Sequence, residues 1–245
     1  MEPLGRRNRR VVETARLHRA RNRRQTGLTI IEGPNLLDEA LGAGVIPRVV
    51  FALAGDDRSA QQAARHDVEL ALVDAAALER IAGTESPRGP AAVIEVPAPG
   101  KIGPRPSVVA WELSDPGNVG TLIRTAAAFG WDFGHTTGTA DPWAPKVLRA
   151  GAGGHFRVSI GPVGSFAELA DAGLTTVATV VSGGAAPDAL GSGRFAVLVG
   201  EEAAGLPADV VAGAALRVTV PMPGGTESLN ASIAAAIVVY ELSRH

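Results

Sequence analysis

Short apolar runs alternate with amphipathic stretches through the first part of the chain. Runs rich in apolar and β-branched residues predict strands at 28–33, 49–53, 69–73 and 91–96. Between them, the pattern predicts helices at 34–41, 58–65 and 74–81, of which 58–65 is polar. Asp74 can cap the last of these helices. Alternating strands and helices of these lengths predict a small three-layer α/β domain over residues 27–98.

A proline- and glycine-rich stretch follows this first domain. Residues 97–106 contain four prolines and two glycines, a composition that excludes a helix or a central strand. We therefore predict a semi-stiff linker at this point and a second domain over residues 107–245.

Several strands predicted in the second domain end in loops of glycine and polar residues. The pattern predicts strands at 108–111, 158–160, 176–181, 195–199 and 218–220, and helices at 119–129, 145–150, 166–172 and 231–242. Three of the strands lead into the loops 182–184, 200–205 and 221–225. Ligands of open α/β sheets bind beyond the carboxyl ends of the strands, so these loops could hold a nucleoside-sized cofactor by backbone contacts. No G-x-G-x-x-G follows a strand and no Walker A sequence is present, which argues against dinucleotides and nucleoside triphosphates.

The closing stretch of the chain combines an apolar run, a glycine-containing bend and an apolar helix. Residues 226–230 offer several side chains of the N-cap type just before that helix. Free backbone N–H groups at a helix start can bind a ligand. The alternative, from the pattern alone, is an ordinary strand–loop–helix unit with a satisfied N-cap.

The charged residues are distributed unevenly along the chain. The formal net charge is −2, yet residues 1–24 hold nine Arg against two Glu, so this segment carries +7 and the remainder −9. Apolar residues spaced among the arginines predict a basic helix over 6–24, within an N-terminal arm of residues 1–26. Such an arm indicates a polyanionic partner, most often nucleic acid, because arginine pairs phosphate oxygens and stacks on bases. The alternatives are a solvated tail and arginine enrichment through high genomic GC content.

Composition also excludes several classes of protein. The chain has no cysteine, so disulfides and cysteine–zinc sites are ruled out. The histidines at 18, 66, 135, 155 and 245 lack ligand spacing, and no metal site is predicted. No apolar run reaches the length of a membrane span, and the arginine-rich start lacks the apolar core of a secretory signal. We expect a cytoplasmic protein without a membrane partner.

Three polar residues stand out beside the predicted loops. Asn118 and Arg124 lie at the first turn and helix of the second domain, and Glu202 lies between two glycines after an apolar strand. Asn118 can orient a ligand or cap the helix, and Arg124 can bind phosphate or be a surface arginine with a buried stem. Glu202 can act on a ligand or simply complement a helix dipole. Ser228 has no histidine partner in the sequence, so a hydrolase triad cannot be argued.

Three motifs of the second domain resemble those of the SpoU-type RNA 2′-O-ribose methyltransferases, TrmH-like members of the SPOUT superfamily. The stretch D-P-G-N-V-G-T-L-I-R-T-A at 115–126 is similar to the family's N-x-G-x-x-x-R-T-A. L-V-G-E-E-A-A-G-L at 198–206 is similar to G-x-E-x-x-G-L. V-P-M-P-G at 220–224 with E-S-L-N-A-S at 227–232 is similar to I-P-M-x-G…E-S-L-N-V-S. The order and the separations of the three motifs are also those of the family.

The resemblance implies an α/β fold in which a C-terminal SPOUT domain with a trefoil knot follows a small substrate-binding domain. It also implies a homodimer, with the helix at 231–242 as the candidate for packing across it, and S-adenosylmethionine as the methyl donor. The residues that match the family's cofactor positions or lie near them are Val181, Ser182, Gly200, Val220 and Leu229.

The resemblance further assigns Arg124 to the activation of the ribose 2′-hydroxyl. Asn118, Glu202, Ser228 and Asn230 would position the RNA and Arg124. Arginine has a pKa above about 12 and is therefore an awkward base. Either a substrate phosphate assists the deprotonation, or Arg124 stabilises the developing alkoxide electrostatically.

The first domain more loosely resembles the ribosomal-protein-L30e-like substrate-binding domain. Glu32-Gly33 follows a strand, and Ser86-Pro87-Arg88-Gly89 precedes the last strand, as in that domain. Family members with this domain tend to act on large-subunit (23S) ribosomal RNA, which is the expected substrate. A tRNA ribose methyltransferase and a non-catalytic RNA-binding or ribosome assembly factor are the alternatives. The residues expected to contact RNA are Arg6, Arg7, Arg9, Arg10, Arg16, Arg19 and Arg88.

One position departs from the family pattern. Gly151 stands in R-A-G-A-G at 149–153, where many members have R-A-S-A-G. A different substrate preference would follow if that serine shapes the RNA site.

Overall fold

A computed structural model describes residues 2–87 and 89–244 of the chain. The strands are β1 (Leu28–Glu32), β2 (Val49–Ala52), β3 (Glu69–Leu72), β4 (Ala91–Glu95), β5 (Ser107–Ala110), β6 (Asp132–His135), β7 (Ile160–Pro162), β8 (Thr175–Thr179), β9 (Phe195–Val199) and β10 (Leu216–Val218). The helices are α1 (Arg9–Ala15), α2 (Ala20–Thr26), α3 (Pro34–Gly42), α4 (Asp57–Arg65), α5 (Ala75–Ala82), α6 (Pro116–Phe129), α7 (Pro145–Gly151), α8 (Phe166–Asp171), α9 (Ala208–Gly213) and α10 (Ala231–Leu242). None of the helices in this described part is long and apolar enough to cross a membrane.

The chain divides into two compact units. The first comprises the residues up to Ala98 together with Trp143–Phe156, and the second comprises Pro99–Pro142 and the residues from Arg157 onward. The break after Ala98 falls within the linker predicted at 97–106. The segment Trp143–Phe156 differs from the expectation, because the sequence pattern assigned it to a second domain at 107–245.

The segment Trp143–Phe156 packs into the first unit through both apolar and polar contacts. Leu148 of α7 is fully buried in the same core cluster as Ile31 of β1. The Thr29 hydroxyl donates a 2.7 Å hydrogen bond to the carbonyl of Trp143. Arg149 forms a 3.1 Å ion pair with Glu32, whose side chain is only 10% exposed. Helical spacing predicted α7 itself, but spacing does not specify which core an apolar face joins.

The sheet of the first unit has the strand order β1-β4-β2-β3 and helices on both faces. β4 is antiparallel to β1 and β2, whereas β2 and β3 are parallel. Neighbouring residues of β1 enter opposite cores: Ile30 packs with residues of α1 and α5, and Ile31 packs with residues of α3 and α7. β2 and β4 are buried along almost their whole length and read as continuous apolar runs, which is why the sequence predicted them.

The arginine-rich N-terminus does not form the single helix predicted over 6–24. It forms α1, a short 3₁₀ turn at Arg16–His18, and α2. The helix breaks at Arg19, whose backbone is extended at φ −88° and ψ 126°. The buried Arg23 side chain donates hydrogen bonds of 2.9 Å to the carbonyls of Leu17 and His18. The break is thus satisfied internally, and helical periodicity alone could not reveal it.

The second unit contains a parallel sheet with the strand order β10-β8-β9-β5-β6-β7. β5 and β9 are buried along their whole length, as expected for central strands covered on both faces. The hydrophobic pattern did not predict β6, because its D-F-G-H sequence contains no apolar run. Its buried Asp132 carboxylate accepts a 3.2 Å hydrogen bond from the N–H of Ser159.

Several predicted boundaries shift in the second unit. α6 begins at Pro116 rather than 119, because the Asp115 carboxylate caps it through the N–H of Asn118 at 2.8 Å and proline is favoured at the first helical position. β7 starts at Ile160 instead of 158, and β10 ends at Val218 instead of 220. The last shift leaves Val220 in the loop that follows β10.

Candidate active site

A cleft lies beyond the carboxyl ends of three neighbouring strands in the second unit. It is bounded by the loops after β8, β9 and β10 and by α10, and its empty volume is about 670 Å³. Most of its lining side chains are apolar, and none of the described lining residues is basic. The lining residues are Thr179, Val180, Val181, Gly200, Glu201, Glu202, Gly205, Val218, Val220, Met222, Ser228, Leu229, Ala231, Ala234 and Val238.

Close backbone approaches shape the loops around this cleft. A Cβ on Gly200 would lie 2.3 Å from the carbonyl carbon of Gly205, and Gly205 itself has a φ of +68°. A Cβ on Gly184 would lie 2.6 Å from the backbone of Val218. Side chains at these glycines would push the loops apart, so the glycines keep backbone groups close to the space a ligand would take.

A polar network joins the start of α6 to the start of α10. The Asn230 amide Nδ2 donates a 2.9 Å hydrogen bond to Oδ1 of Asn118 and a second, short hydrogen bond to Oε1 of Glu202. The hydroxyl of Ser232 lies 3.1 Å from Oδ1 of Asn118 and 2.6 Å from Oδ1 of Asn230, and it can donate to either. Asn118 and Ser232 are buried, whereas Glu202 is exposed, so the network is buried at one end and open to solvent at the other.

Asn230 also caps the closing helix. Its Oδ1 accepts hydrogen bonds from the backbone N–H groups of Ser232 at 3.1 Å and Ile233 at 3.2 Å. The amide oxygen is therefore used locally, while the amide nitrogen reaches across to Asn118. One asparagine serves both purposes because its side chain has an acceptor and a donor end.

Glu201 connects a second pair of loops at the cleft. Its Oε2 accepts a 2.7 Å hydrogen bond from the N–H of Ser114, next to the residue that caps α6. Hydrogen bonds from Ser114 lower the pKa of Glu201 from its usual value, and the N–H of Glu202 adds to this effect. The lowered pKa keeps this carboxylate ionised at neutral pH.

Most residues expected to hold a cofactor lie in the cleft. Val181, Gly200, Val220 and Leu229 line it, and Val181 and Leu229 leave 64% and 38% of their surface exposed at its edge. Ser182 is exposed and is not among the lining residues.

The residues expected to act on the substrate divide into two groups. Asn118, Glu202 and Asn230 form the polar network, and Ser228 lines the cleft. Arg124 does not line it; its side chain is exposed on α6 and has no hydrogen bond or ion pair with any residue in the described part of the chain. The network therefore comes together within one chain, and Arg124 stands apart from it.

Sequence reasoning missed the contributions of Ser232 and Glu201. Ser232 had a weak signal, a hydroxyl residue in the first turn of an otherwise apolar helix. Glu201 had none, because the neighbouring Glu202 occupies the motif position and a second carboxylate beside it looks like a solvated residue.

The residues expected to contact RNA in the first unit lie mostly on its surface. Arg6, Arg7, Arg16 and Arg19 are exposed, and Arg88 lies outside the described residues. Two other arginines of the set form ion pairs of 2.7 Å, Arg9 with Glu13 and Arg10 with Glu69. Exposed pairs of this kind contribute little to stability, so these arginines can exchange their partners for phosphate.

Two family models match separate parts of the chain. The model described as "SpoU rRNA Methylase family" matches residues 105–240, and the model described as "MRM3-like substrate binding domain" matches residues 8–92. The chain is also 33% identical over 243 residues to 23S rRNA (guanosine(2553)-2'-O)-methyltransferase RlmP of Bacillus subtilis (strain 168), which covers 96% of each protein.

Solved structures show the same architecture. The AdoMet-bound rRNA methyltransferase from Sinorhizobium meliloti is 25% identical with a TM-score of 0.84, over 97% of this chain and 95% of the other. The SpoU methyltransferase AviRb from Streptomyces viridochromogenes, in complex with AdoMet, is 26% identical with a TM-score of 0.84, over 97% and 98%. These similarities confirm the predicted fold class, an α/β domain of the SPOUT type preceded by a smaller substrate-binding domain.

Proposed function

The chain belongs to the SpoU rRNA methylase family, and we propose that it transfers a methyl group from S-adenosylmethionine to a ribose 2′-hydroxyl of 23S ribosomal RNA. The observation that carries this proposal is the cleft beyond β8, β9 and β10, with the network of Asn118, Glu202 and Asn230 at its edge. The Bacillus subtilis relative, named as a 23S rRNA 2'-O-methyltransferase and matched over almost its whole length, supports the choice of substrate.

The lining of the cleft fits S-adenosylmethionine. Apolar side chains such as Val180 and Val238 suit a purine, and the exposed carboxylate of Glu202 suits a ligand with positive charge. The absence of basic groups among the described lining residues disfavours a phosphorylated cofactor. Val181, Gly200, Val220 and Leu229 would hold the donor, with Ser182 adjacent; the bound donor supplies a methyl group on a sulfonium centre.

The residues around the network would orient the RNA ribose. Ser228 and Glu202 are exposed at the cleft and can contact a ribose hydroxyl. Asn230, which is held by buried Asn118, keeps Glu202 in place. Fixing a hydroxyl against an electrophilic carbon replaces a bimolecular encounter by an oriented one, which is a large source of rate acceleration.

Arg124 would act on the 2′-hydroxyl by charge. Guanidinium groups lose a proton only above about pH 12, so a neutral arginine base would be scarce. A fixed positive charge beside the 2′-oxygen instead stabilises the negative charge that develops there as the hydroxyl proton leaves to water or to an RNA phosphate, before the oxygen takes the methyl group from the sulfonium. The exposure of Arg124 and the lack of a partner in the described chain leave its guanidinium available for RNA.

A homodimer is part of the proposal. α10 is apolar around most of its circumference, yet Ile233 and Tyr240 are 52% and 50% exposed. Phe129 of α6 contacts the Tyr240 ring edge-on and is itself 37% exposed, which extends the apolar surface. A second copy packed on this surface would bury it, and in SpoU-type enzymes the dimer completes the site. The trefoil knot of the family remains a prediction of the same proposal.

The first unit would bind the RNA away from the reacting ribose. Its match to a substrate-binding domain and the exposed arginines at Arg6, Arg7, Arg16 and Arg19 support this role. Arg9, Arg10 and Arg88 belong to the same proposed surface. Ribosomal RNA as substrate also implies a cytoplasmic location.

Comparison of 2′-O-methyl maps tests the function. Ribosomal and transfer RNA would be isolated from cells with and without the gene and mapped by ribose-methylation sequencing. We expect one 2′-O-methyl position of 23S rRNA to disappear without the gene and to return when the gene is restored. Loss of a tRNA ribose methyl instead would support the tRNA alternative, and unchanged maps would overturn the enzymatic proposal.

A further inference from the structure

The carboxylate of Glu201 reaches from the loop after β9 to the loop after β5. Its Oε2 accepts the N–H of Ser114 at 2.7 Å. Ser114 precedes Asp115, whose carboxylate caps α6 through the N–H of Asn118 at 2.8 Å. One hydrogen bond therefore connects the cleft loop to the start of the helix that carries Asn118 and Arg124.

Glu201 is itself held firmly within its loop. Its carbonyl accepts a 2.8 Å hydrogen bond from the N–H of Gly205, and its Oε1 lies 3.3 Å from the N–H of Glu202. The approach of Gly200 to Gly205 closes the same turn. The turn at residues 200–205 is therefore closed at its ends, and Glu201 has a fixed position in the wall of the cleft.

Two neighbouring carboxylates thus hold the start of α6 from two sides. Glu202 acts through Asn230 and the side chain of Asn118, and Glu201 acts through the backbone of Ser114. The two connections act at different places. The one from Glu202 ends at the Asn118 side chain within α6, and the one from Glu201 ends at the Ser114 backbone before the N-cap.

We propose that Glu201 is a positioning residue, which places the start of α6, and with it Asn118 and Arg124, correctly against the cleft that holds the methyl donor. This inference rests on the proposed function. The length of the Glu201 side chain and its acceptor oxygen matter in this role, whereas its charge matters less. It acts through Ser114 and does not touch the reacting atoms.

Two substitutions separate length from charge. Glu201→Gln keeps the length and an acceptor oxygen but loses the charge, whereas Glu201→Asp keeps the charge but is too short to reach Ser114. The matched control is Glu168→Asp, because Glu168 also accepts a loop N–H, that of Gly164 at 2.9 Å, and does not line the cleft. Each variant is measured for kcat, RNA KM, cofactor Kd, Tm and hydrogen exchange of the peptide that contains Ser114.

We expect Glu201→Gln to keep kcat within about threefold of the wild type and Glu201→Asp to lose about tenfold or more, with RNA KM and cofactor Kd nearly unchanged in both. The Ser114 amide should exchange faster only in Glu201→Asp, and Glu168→Asp should keep wild-type kcat. Equal loss of kcat in Gln and Asp, or a large rise of cofactor Kd in Gln, would overturn the proposal in favour of a charge or direct ligand role.

The exchange measurement keeps this inference separate from the proposed function. If the wild type transfers no methyl group, the proposed function fails. Independently of that result, unchanged hydrogen exchange of the Ser114 amide in Glu201→Asp would show that the Glu201–Ser114 contact does not hold the start of α6. If Glu201→Asp does not fold, Glu201→Gln decides the matter, because loss of its kcat alone contradicts the positioning role.

Discussion

The amide nitrogen of Asn230 donates a hydrogen bond of 2.9 Å to Oδ1 of Asn118, a residue 112 positions earlier in the chain. This contact joins the first turns of α6 and α10. Both helices begin with a side-chain cap, Asp115 for α6 and Asn230 for α10, so each helix start is held by its own cap as well as by this contact. The polar network is thus assembled from two helix starts and from Glu202 in the loop after β9.

Asn230 combines a cap and a cross-link, and two substitutions separate them. Asn230→Ser retains a capping oxygen but lacks the amide donor, so we expect little change in the free energy of unfolding and a fall in turnover of about tenfold or more. Asn230→Ala loses both functions and should also lose about 1 kcal/mol of stability. Urea unfolding and methyl-transfer kinetics check these outcomes, and wild-type turnover by the serine variant would contradict the role of the cross-link.

Two adjacent arginines of the N-terminal arm, Arg23 and Arg24, should contribute very differently to the free energy of unfolding. Arg23 is buried and donates to two backbone carbonyls, so Arg23→Ala should lower the free energy of unfolding by about 1–3 kcal/mol. Arg24 is exposed, and Arg24→Ala should change it by less than about 0.5 kcal/mol. Urea titration of both variants measures the difference. Equal effects would mean that the arm contributes to the first unit only through its charge.

Self-association should depend on the exposed apolar residues of α10. Sedimentation equilibrium of the wild type should show a dimer, and Ile233→Glu should weaken the dimer by about tenfold or more, because a charge would be buried in the interface. Ile46→Glu is the matched control, since Ile46 is 47% exposed in the first unit. A monomeric wild type, or equal effects of the two substitutions, would refute the proposed dimer surface.

His135 should make stability depend on pH. Burial lowers its pKa below 6.5, although the Thr136 backbone and Asp141 act in the opposite direction. The unfolded chain therefore binds more protons than the folded one just below about pH 6.5. The stability contributed by neutral His135 is complete above that pH and is lost as the pH falls through the folded pKa. Urea unfolding at pH 7 and 5.5 should show a smaller loss for His135→Gln than for the wild type, and equal losses would contradict this.

The sequence predicted elements best where one local pattern sufficed. α10 has its predicted bounds, and β9 was predicted because it is one continuous buried apolar run. β6 could not be predicted, because its burial depends on neighbouring strands rather than on an apolar sequence.

Candidate site residues were identifiable as motifs, but their connections were not. Asn118, Glu202 and Asn230 are far apart in the chain, and only folding brings them together. Ser114 takes part through its backbone N–H, which no residue pattern encodes. The membership of Trp143–Phe156 in the first unit likewise depends on long-range packing.

Methyl transfer by the purified protein to unmethylated 23S rRNA, with the product mapped by mass spectrometry, tests the central claim most directly. The wild type should place one methyl group per RNA on a ribose 2′-oxygen when S-adenosylmethionine is supplied. Arg124→Ala should transfer none while its cofactor Kd and Tm remain close to those of the wild type, because Arg124 is exposed and outside the cleft lining. A methyl group on a base, no transfer by the wild type, or retained turnover by Arg124→Ala would contradict the account.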